Sequence, residues 1–398
     1  MTSVTPTPTP TPAPTPDAEP ATGGAAPDAL DDAGLPVGRP RTVGRQIVSG
    51  LFSYGVVILA VWYLVSNLQS GDYETAASLI TASMVVVVVL LGLVNLATNW
   101  PPIVVTLPGL KVREAAVTNT AGAALSNTVP EGGAVATGLN YAMLRSWGFT
   151  LGDTTSEVLV TGTWSQLTKY ILLAIGLVVV TLQGWGPPAV AWGALVLVVL
   201  VALALVVLTM ILRSAGFAAR LGARCDRVIA RVRRRIPRLA DPDLASGLPT
   251  FRAEMVGLLR LCWGRLTVSM VVSQLTVVLV LGICCRMQGL DEATISWAVI
   301  LVAWGLVTFA SLLIPTPGGL GVAEVVLVGV LGHGLPESDQ AAVLAAVLLY
   351  RIATFLVPIP IGLVCYLYWR MSSSWRRPVN SRGPSGNAVA EESAQAPA

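Results

Sequence analysis

Apolar residues recur along this chain in long runs separated by short polar segments. Runs at 46–66, 79–98, 158–182, 189–212, 263–285 and 295–313 each approach or exceed twenty residues. At 1.5 Å per residue, such a run crosses a hydrocarbon core of about 30 Å as a helix. A longer run at 115–144 carries one charge, Glu131, beside a Pro130-Glu-Gly-Gly133 break. The last run, 341–369, holds Arg351. The pattern predicts an all-α, polytopic membrane helix bundle with about eight membrane spans and one or two broken or re-entrant segments.

One stretch defies a plain membrane helix: Ser311-Leu-Leu-Ile-Pro-Thr-Pro-Gly-Gly-Leu-Gly-Val-Ala-Glu324. Pro315 and Pro317 remove two backbone donors, and Gly318, Gly319 and Gly321 admit angles and close approaches that other residues forbid. Glu324 then opens the next apolar run. Lipid tolerates irregular backbone only where it is buried in protein or lines a cavity. Ser126-Asn-Thr-Val-Pro-Glu-Gly-Gly133 echoes this order, with Pro130, Glu131, Gly132 and Gly133 at its centre. Paired breaks of this kind in two halves of a chain point to a transporter site.

Composition narrows the class. Of 398 residues, 54% are hydrophobic and 12% charged, and the mean hydropathy is +0.71. These values suit a membrane protein and exclude an ordinary soluble domain. The net charge is +3, and every base except Lys111 and Lys169 is arginine or the single histidine, His333. One histidine and five cysteines without metal spacing argue against a metal centre or a His-based triad, so no cofactor or metal is expected. No Walker-type phosphate loop is present.

Charge sets the expected orientation. Arg39, Arg41 and Arg45 precede the first run, and Lys111 and Arg113 follow the second. The segment 213–260 holds 11 Arg against 4 acids, and Arg370, Arg376, Arg377 and Arg382 follow the last run. The positive-inside rule puts these segments, and both termini, in the cytoplasm of a cell with one inner membrane to span, as in bacteria. On that count 115–144 enters and leaves on one face, as a re-entrant hairpin. The segment from 313 to 335 changes sides.

Three parts lie outside the spans. Residues 1–45 form a Thr/Pro-rich segment expected to be disordered, as is 371–398, and both belong to the cytoplasm. Between them, 46–370 is the membrane domain. Its loop 213–262 repeats Phe217, Leu221, Cys225, Val228, Val232 and Ile236 at helical spacing, with Arg220, Arg224, Arg227, Arg231, Arg234 and Arg235 opposite. That is a basic amphipathic helix suited to an inner-leaflet surface of anionic phospholipid. Nothing else in the chain favours nucleic acid as a partner.

Glu131, Arg145, Lys169, Glu324 and Arg351 sit in or beside apolar runs, where an isolated charge costs about 2.5–3.5 kcal/mol. Two outcomes fit. They pair with one another to fix helix register, or some of the cations meet an anionic headgroup, Arg through its fork and Lys as a point charge.

The motif Pro-x-Pro-Gly-Gly-Leu-Gly-Val-x-Glu at 315–324, with Leu-Tyr-Arg-Ile at 349–352, Pro358 and Gly362, resembles the transmembrane region of lysylphosphatidylglycerol synthetases, a flippase-like family. Asn127 to Gly133 followed by Tyr141-Ala-Met-Leu-Arg145 is similar to its first signature. Ala134 and Thr137 stand where the family pattern has an acid and a base. The resemblance covers about residues 46–370. About 30 residues follow the last run, too few for the family's fused aminoacyltransferase, so the resemblance implies lipid translocation without synthesis.

The expected function is movement of a phospholipid, aminoacyl-phospholipid or lipid-linked glycan between leaflets. Pro130, Glu131, Gly132, Gly133, Pro315, Pro317, Gly318, Gly319, Gly321 and Glu324 line its path, and Arg145, Lys169 and Arg351 meet phosphate. The alternatives are an integral-membrane transferase or hydrolase with a carboxylate base, and a scaffold for a cytoplasmic lipid-synthesis enzyme docked on 213–260. A second copy of the chain is a further candidate partner, since the glycines can pack helices within or between chains.

Overall fold

The computed structural model describes residues 76, 78–129, 132–184, 188–233, 244–314, 316–372 and 375. The expected first span at 46–66, the N-terminal tail, the C-terminal tail apart from Met371, Ser372 and Trp375, Pro130, Glu131, Pro315, Arg234 and Arg235 lie outside the described residues, as does the side chain of Arg231. Among the described residues the structure is helical throughout, with no strand.

The helices run in this order: α1 Ala82–Thr98, α2 Trp100–Thr106, α3 Val112–Thr128, α4 Gly132–Ser146, α5 Leu151–Leu182, α6 Pro188–Arg213, α7 Ala215–Arg233 and α8 Leu244–Met287. Then come α9 Trp297–Leu313, a 3-10 turn Pro317–Gly319, α10 Val322–Leu331, α11 Glu337–Arg351, a π turn Ile352–Leu356 and α12 Pro358–Met371. Five stretches are long and apolar enough to cross a membrane: 82–106, 151–182, 190–213, 262–287 and 337–371. α9 and the segment from Pro317 to Leu331 are shorter apolar helices.

Helix ends follow local chemistry. Thr81 caps α1 by accepting from the Met84 N–H at 3.4 Å. Thr150 and Asp153 form a capping box at the start of α5. That box starts α5 about two turns before the apolar run that began at 158, so Glu157 lies inside the helix. α8 has 44 residues, about 66 Å of helix against a core of about 30 Å. Its first turns precede the 262–287 span. They are tied to the end of α6 by Arg252, whose Nε donates to the Leu212 carbonyl at 3.1 Å.

α7 forms as the 213–262 pattern predicts, with Arg220, Arg224 and Arg227 exposed. Its inner face has a protein neighbour: α7 packs on α8, and Ala218 and Gly222 are buried.

The expected hairpin at 115–144 is present as α3 and α4, packed against each other. At its turn the Gly132 Cα lies so close to the Ser126 backbone that a Cβ would come within 2.6 Å of it. The main core joins α1, α5, α8, α9, α10 and α11 through Leu173, Leu281, Ile300, Trp304, Leu327, Val347 and their neighbours. A second cluster, around Met143, Leu144, Trp147 and Trp375, closes the base of the α3–α4 hairpin.

Candidate functional site

The second broken segment is built from three left-handed glycines. Gly318, Gly319 and Gly321 have φ of 54°, 70° and 79°. Gly318 would be strained as any other residue, and a Cβ there would also meet the Phe355 ring at 2.6 Å and Asn127 Oδ1 at 3.0 Å. After Gly321 the chain enters α10, placing Glu324 in its first turn. Arg351 closes α11. Each charge therefore sits at the helix end whose dipole favours it.

These two residues meet. Arg351 Nε lies 2.7 Å from Glu324 Oε1, with side chains 13% and 16% exposed. The Nε–H is not aligned for a hydrogen bond to the carboxylate, so the contact is Coulombic. The guanidinium instead donates through Nη2 to the Gly318 carbonyl at 3.1 Å and lies over the Phe355 ring at 4.8 Å. Glu324 Oε2 is buried and accepts no hydrogen bond. The pair is thus held at one end of each group and open at the other.

Directly after Arg351 the helix widens into the π turn, with Val357 N–H bonding to the Ile352 carbonyl at 2.9 Å. Pro358 is the cause we assign, because it has no N–H to give the Thr354 carbonyl four residues back. Asn127 supplies a substitute from the first broken segment. Its Nδ2 donates to the Phe355 carbonyl at 3.1 Å and reaches the Thr354 carbonyl at 3.5 Å. Close glycine contacts hold the neighbours in place. Gly362 on α12 lies against the Thr120 carbonyl and Ala124 of α3, and Gly92 on α1 lies against the Ala353 carbonyl.

Chain lengths put this junction in the interior of the apolar layer. Arg351 is the fifteenth residue of the 35-residue stretch 337–371. The ten residues of α10 make about 15 Å, half the thickness of the core.

The candidate residues therefore divide. Pro317, Gly318, Gly319, Gly321, Glu324 and Arg351 form one site, and the hairpin turn after Asn127 joins it. Gly132 serves the packing of that turn, and Gly133 faces open space. Arg145 lies at the other end of α4, thirteen residues or about 20 Å from Gly132. Lys169 has no hydrogen-bond or ion-pair partner among the described residues. The contacts of Gly305 with Leu173 and of Gly176 with Leu301 and Val302 set α5 antiparallel to α9. Lys169 is thereby level with Phe309, near the end of α9 and short of the second break. Gln166 Oε1 and Tyr170 OH, on the same stripe of α5, and Thr316 Oγ1 are buried without hydrogen bonds.

Asn127, Thr354 and Phe355 are the parts of the junction absent from the sequence-derived site. Two buried carboxylates also escaped notice. Glu114, fully buried, accepts from the Lys111 N–H at 2.9 Å, and Glu157, 5% exposed, accepts from the Thr161 hydroxyl at 3.1 Å.

Fold and junction together define a polytopic helical membrane protein whose broken segments converge on a buried ion pair. The chain belongs to the lysylphosphatidylglycerol synthase TM region family, which matches residues 47–362 of the 398. It is thus an integral membrane protein of a lipid-related family. Comparison with curated proteins returned no match.

Proposed function

We propose that this protein translocates a phospholipid or aminoacyl-phospholipid between leaflets, with the Glu324–Arg351 junction as the point where the headgroup passes. The observation that carries the reading is the incomplete ion pair. Glu324 Oε2 is a buried acceptor with no donor, and Arg351 commits only part of its five-donor fork to protein. A buried network left half satisfied is costly, and a headgroup with both signs completes it. An ammonium group would donate to Glu324, and a phosphate would accept from Arg351. Convergent broken helices at mid-membrane are the usual frame of such a passage.

The supporting chemistry extends along α5, where Lys169 offers a second cation to phosphate on the way to the junction. Orientation in this reading follows the arginine distribution, with the α6–α7–α8 side and both termini in the cytoplasm.

The test is reconstitution into proteoliposomes with phosphatidylglycerol, its lysyl ester, cardiolipin and a polyprenyl phosphate. Selective appearance of one lipid in the far leaflet is expected. Protein that is folded and moves none of them overturns the reading in favour of a membrane-embedded transferase or a scaffold.

A further inference from the structure

The carboxylate of Glu324 is tied down less than the other buried carboxylates. Glu114 accepts from the Lys111 N–H, and Glu157 accepts from the Thr161 hydroxyl. Among the described residues Glu324 accepts no hydrogen bond at either oxygen. Oε1 has its Coulombic contact with Arg351, and Oε2 is buried without a donor. A protonated carboxyl donates as well as accepts. A proton on Oε2 therefore turns this acceptor into an O–H that can serve a neighbouring anion.

The elements around Glu324 bring one opposing charge to it. α9 and α11 pack against α10. α9 has no titratable residue, and α10 has none besides Glu324. α11 brings Arg351 and Tyr350 to this end; its acids, Glu337 and Asp339, are at least twelve residues or about 18 Å away. Tyr350 shares its core with Cys284 of α8, and a phenol and a thiol keep their protons at neutral pH. The hairpin supplies no titratable group over 118–128, and Glu131 lies outside the described residues. Lys169 stops level with Phe309. Among the described residues the charges at the junction thus sum to zero.

A headgroup changes that sum according to its own charge. A phosphate diester without an amine accepts from Arg351 and leaves one negative charge uncompensated in an apolar interior, which is strongly disfavoured. A proton on Glu324 Oε2 restores neutrality and adds a second donor to the phosphate. A headgroup that carries an ammonium brings its own compensation. Its N–H groups donate to Oε2, and no proton is needed.

We propose that Glu324 is a proton-binding site linked to headgroup charge: an anionic phospholipid occupies the junction together with one proton on Glu324, and an amine-bearing phospholipid occupies it without one. This rests on the reading that headgroups pass between Glu324 and Arg351. The proton comes from water on the entry side and leaves to water on the exit side. An anionic lipid and its proton cross as a neutral unit, so a pH difference across the membrane drives them and the electrical potential does not.

The experiment is titration calorimetry of full-length protein in a neutral detergent, with dioctanoyl phosphatidylglycerol and dioctanoyl phosphatidylethanolamine as probes. Each titration is run in PIPES and in imidazole, whose different ionisation enthalpies reveal protons taken up on binding. Wild type should take up about one proton per phosphatidylglycerol and close to none per phosphatidylethanolamine. Its affinity for phosphatidylglycerol should then rise by about tenfold per unit fall in pH, with phosphatidylethanolamine unaffected. Glu324→Gln, checked for fold by circular dichroism, should bind phosphatidylglycerol without proton uptake and without that pH dependence. The proton count in wild type needs no variant to fold. Phosphatidylglycerol binding without proton uptake, or with the same uptake in Glu324→Gln, overturns the proton site and leaves the translocation reading standing. Folded wild type that binds neither lipid overturns both.

Discussion

Asn127 and Phe355, 228 positions apart in sequence, are joined by one hydrogen bond: the Asn127 amide donates to the Phe355 carbonyl at 3.1 Å. This bond couples the turn of the α3–α4 hairpin to the π turn beside Arg351. The same amide reaches the adjoining Thr354 carbonyl, which Pro358 leaves without its helical donor, at 3.5 Å.

Replacing Asn127 by Leu should remove the donor shared by the Phe355 and Thr354 carbonyls, the latter already without a helical donor because of Pro358. A loss of about 1–3 kcal/mol in unfolding free energy is expected, the cost of an unsatisfied buried acceptor. Asn127→Asp should not rescue it, because an ionised carboxylate only accepts. Equilibrium unfolding in detergent micelles checks this. A stability equal to wild type in Asn127→Leu would mean that the bond carries no weight.

Glu324 and Arg351 should behave as a coupled pair. Removing either partner alone leaves a buried charge, at a cost of about 3–5 kcal/mol. Glu324→Gln combined with Arg351→Gln should recover part of that loss, so the cycle should show a coupling energy well above about 0.5 kcal/mol. Additive losses would contradict the pair.

Adjacent glycines should respond in opposite ways. Gly132→Ala forces a Cβ within 2.6 Å of the Ser126 backbone, and backbone cannot swing aside. It should cost at least about 1–3 kcal/mol. Gly133 faces open space within α4, so Gly133→Ala should be neutral or stabilise by up to about 1 kcal/mol through helix propensity. Melting temperatures of the two variants side by side decide the matter. Equal destabilisation would show that the hairpin turn is not as close-packed as the contacts require.

Much of this arrangement was legible in the chain because proline and glycine act locally. Pro317 and the glycines at 318, 319 and 321 mark a break wherever they occur, and the structure puts one there. The family, the helical class and the α3–α4 hairpin were equally readable from apolar run lengths and motifs. Pairing was readable only in part. The cost of a buried charge implies that Glu324 finds a cation, and Arg351 answers it. The same argument cannot say that Arg145 stays at the far end of α4, or that Lys169 halts level with Phe309. The first follows from the length of α4, and the second from the α5–α9 register, set by Gly305 against Leu173 and Gly176 against Val302.

The π turn was out of reach for a related reason. Pro358 announces a missing donor, but which distant side chain replaces it is a tertiary fact. Glu157 was missed at an apolar boundary, although Thr150-x-x-Asp153 signals that the helix starts before it. The apolar face of α7 read as a membrane surface, and sequence alone gave no sign that α8 runs on far enough to cover part of it.

The central claim is that the headgroup passes between Glu324 and Arg351. The most direct measurement is the rate of lipid movement between leaflets in proteoliposomes holding wild type, Glu324→Gln, Arg351→Ala and Gly133→Ala, each verified as folded. The account predicts that the transported lipid moves at wild-type rate with Gly133→Ala and at least about tenfold more slowly with each charge variant. Wild-type rates in folded Glu324→Gln and Arg351→Ala would contradict it and leave the pair a purely structural one.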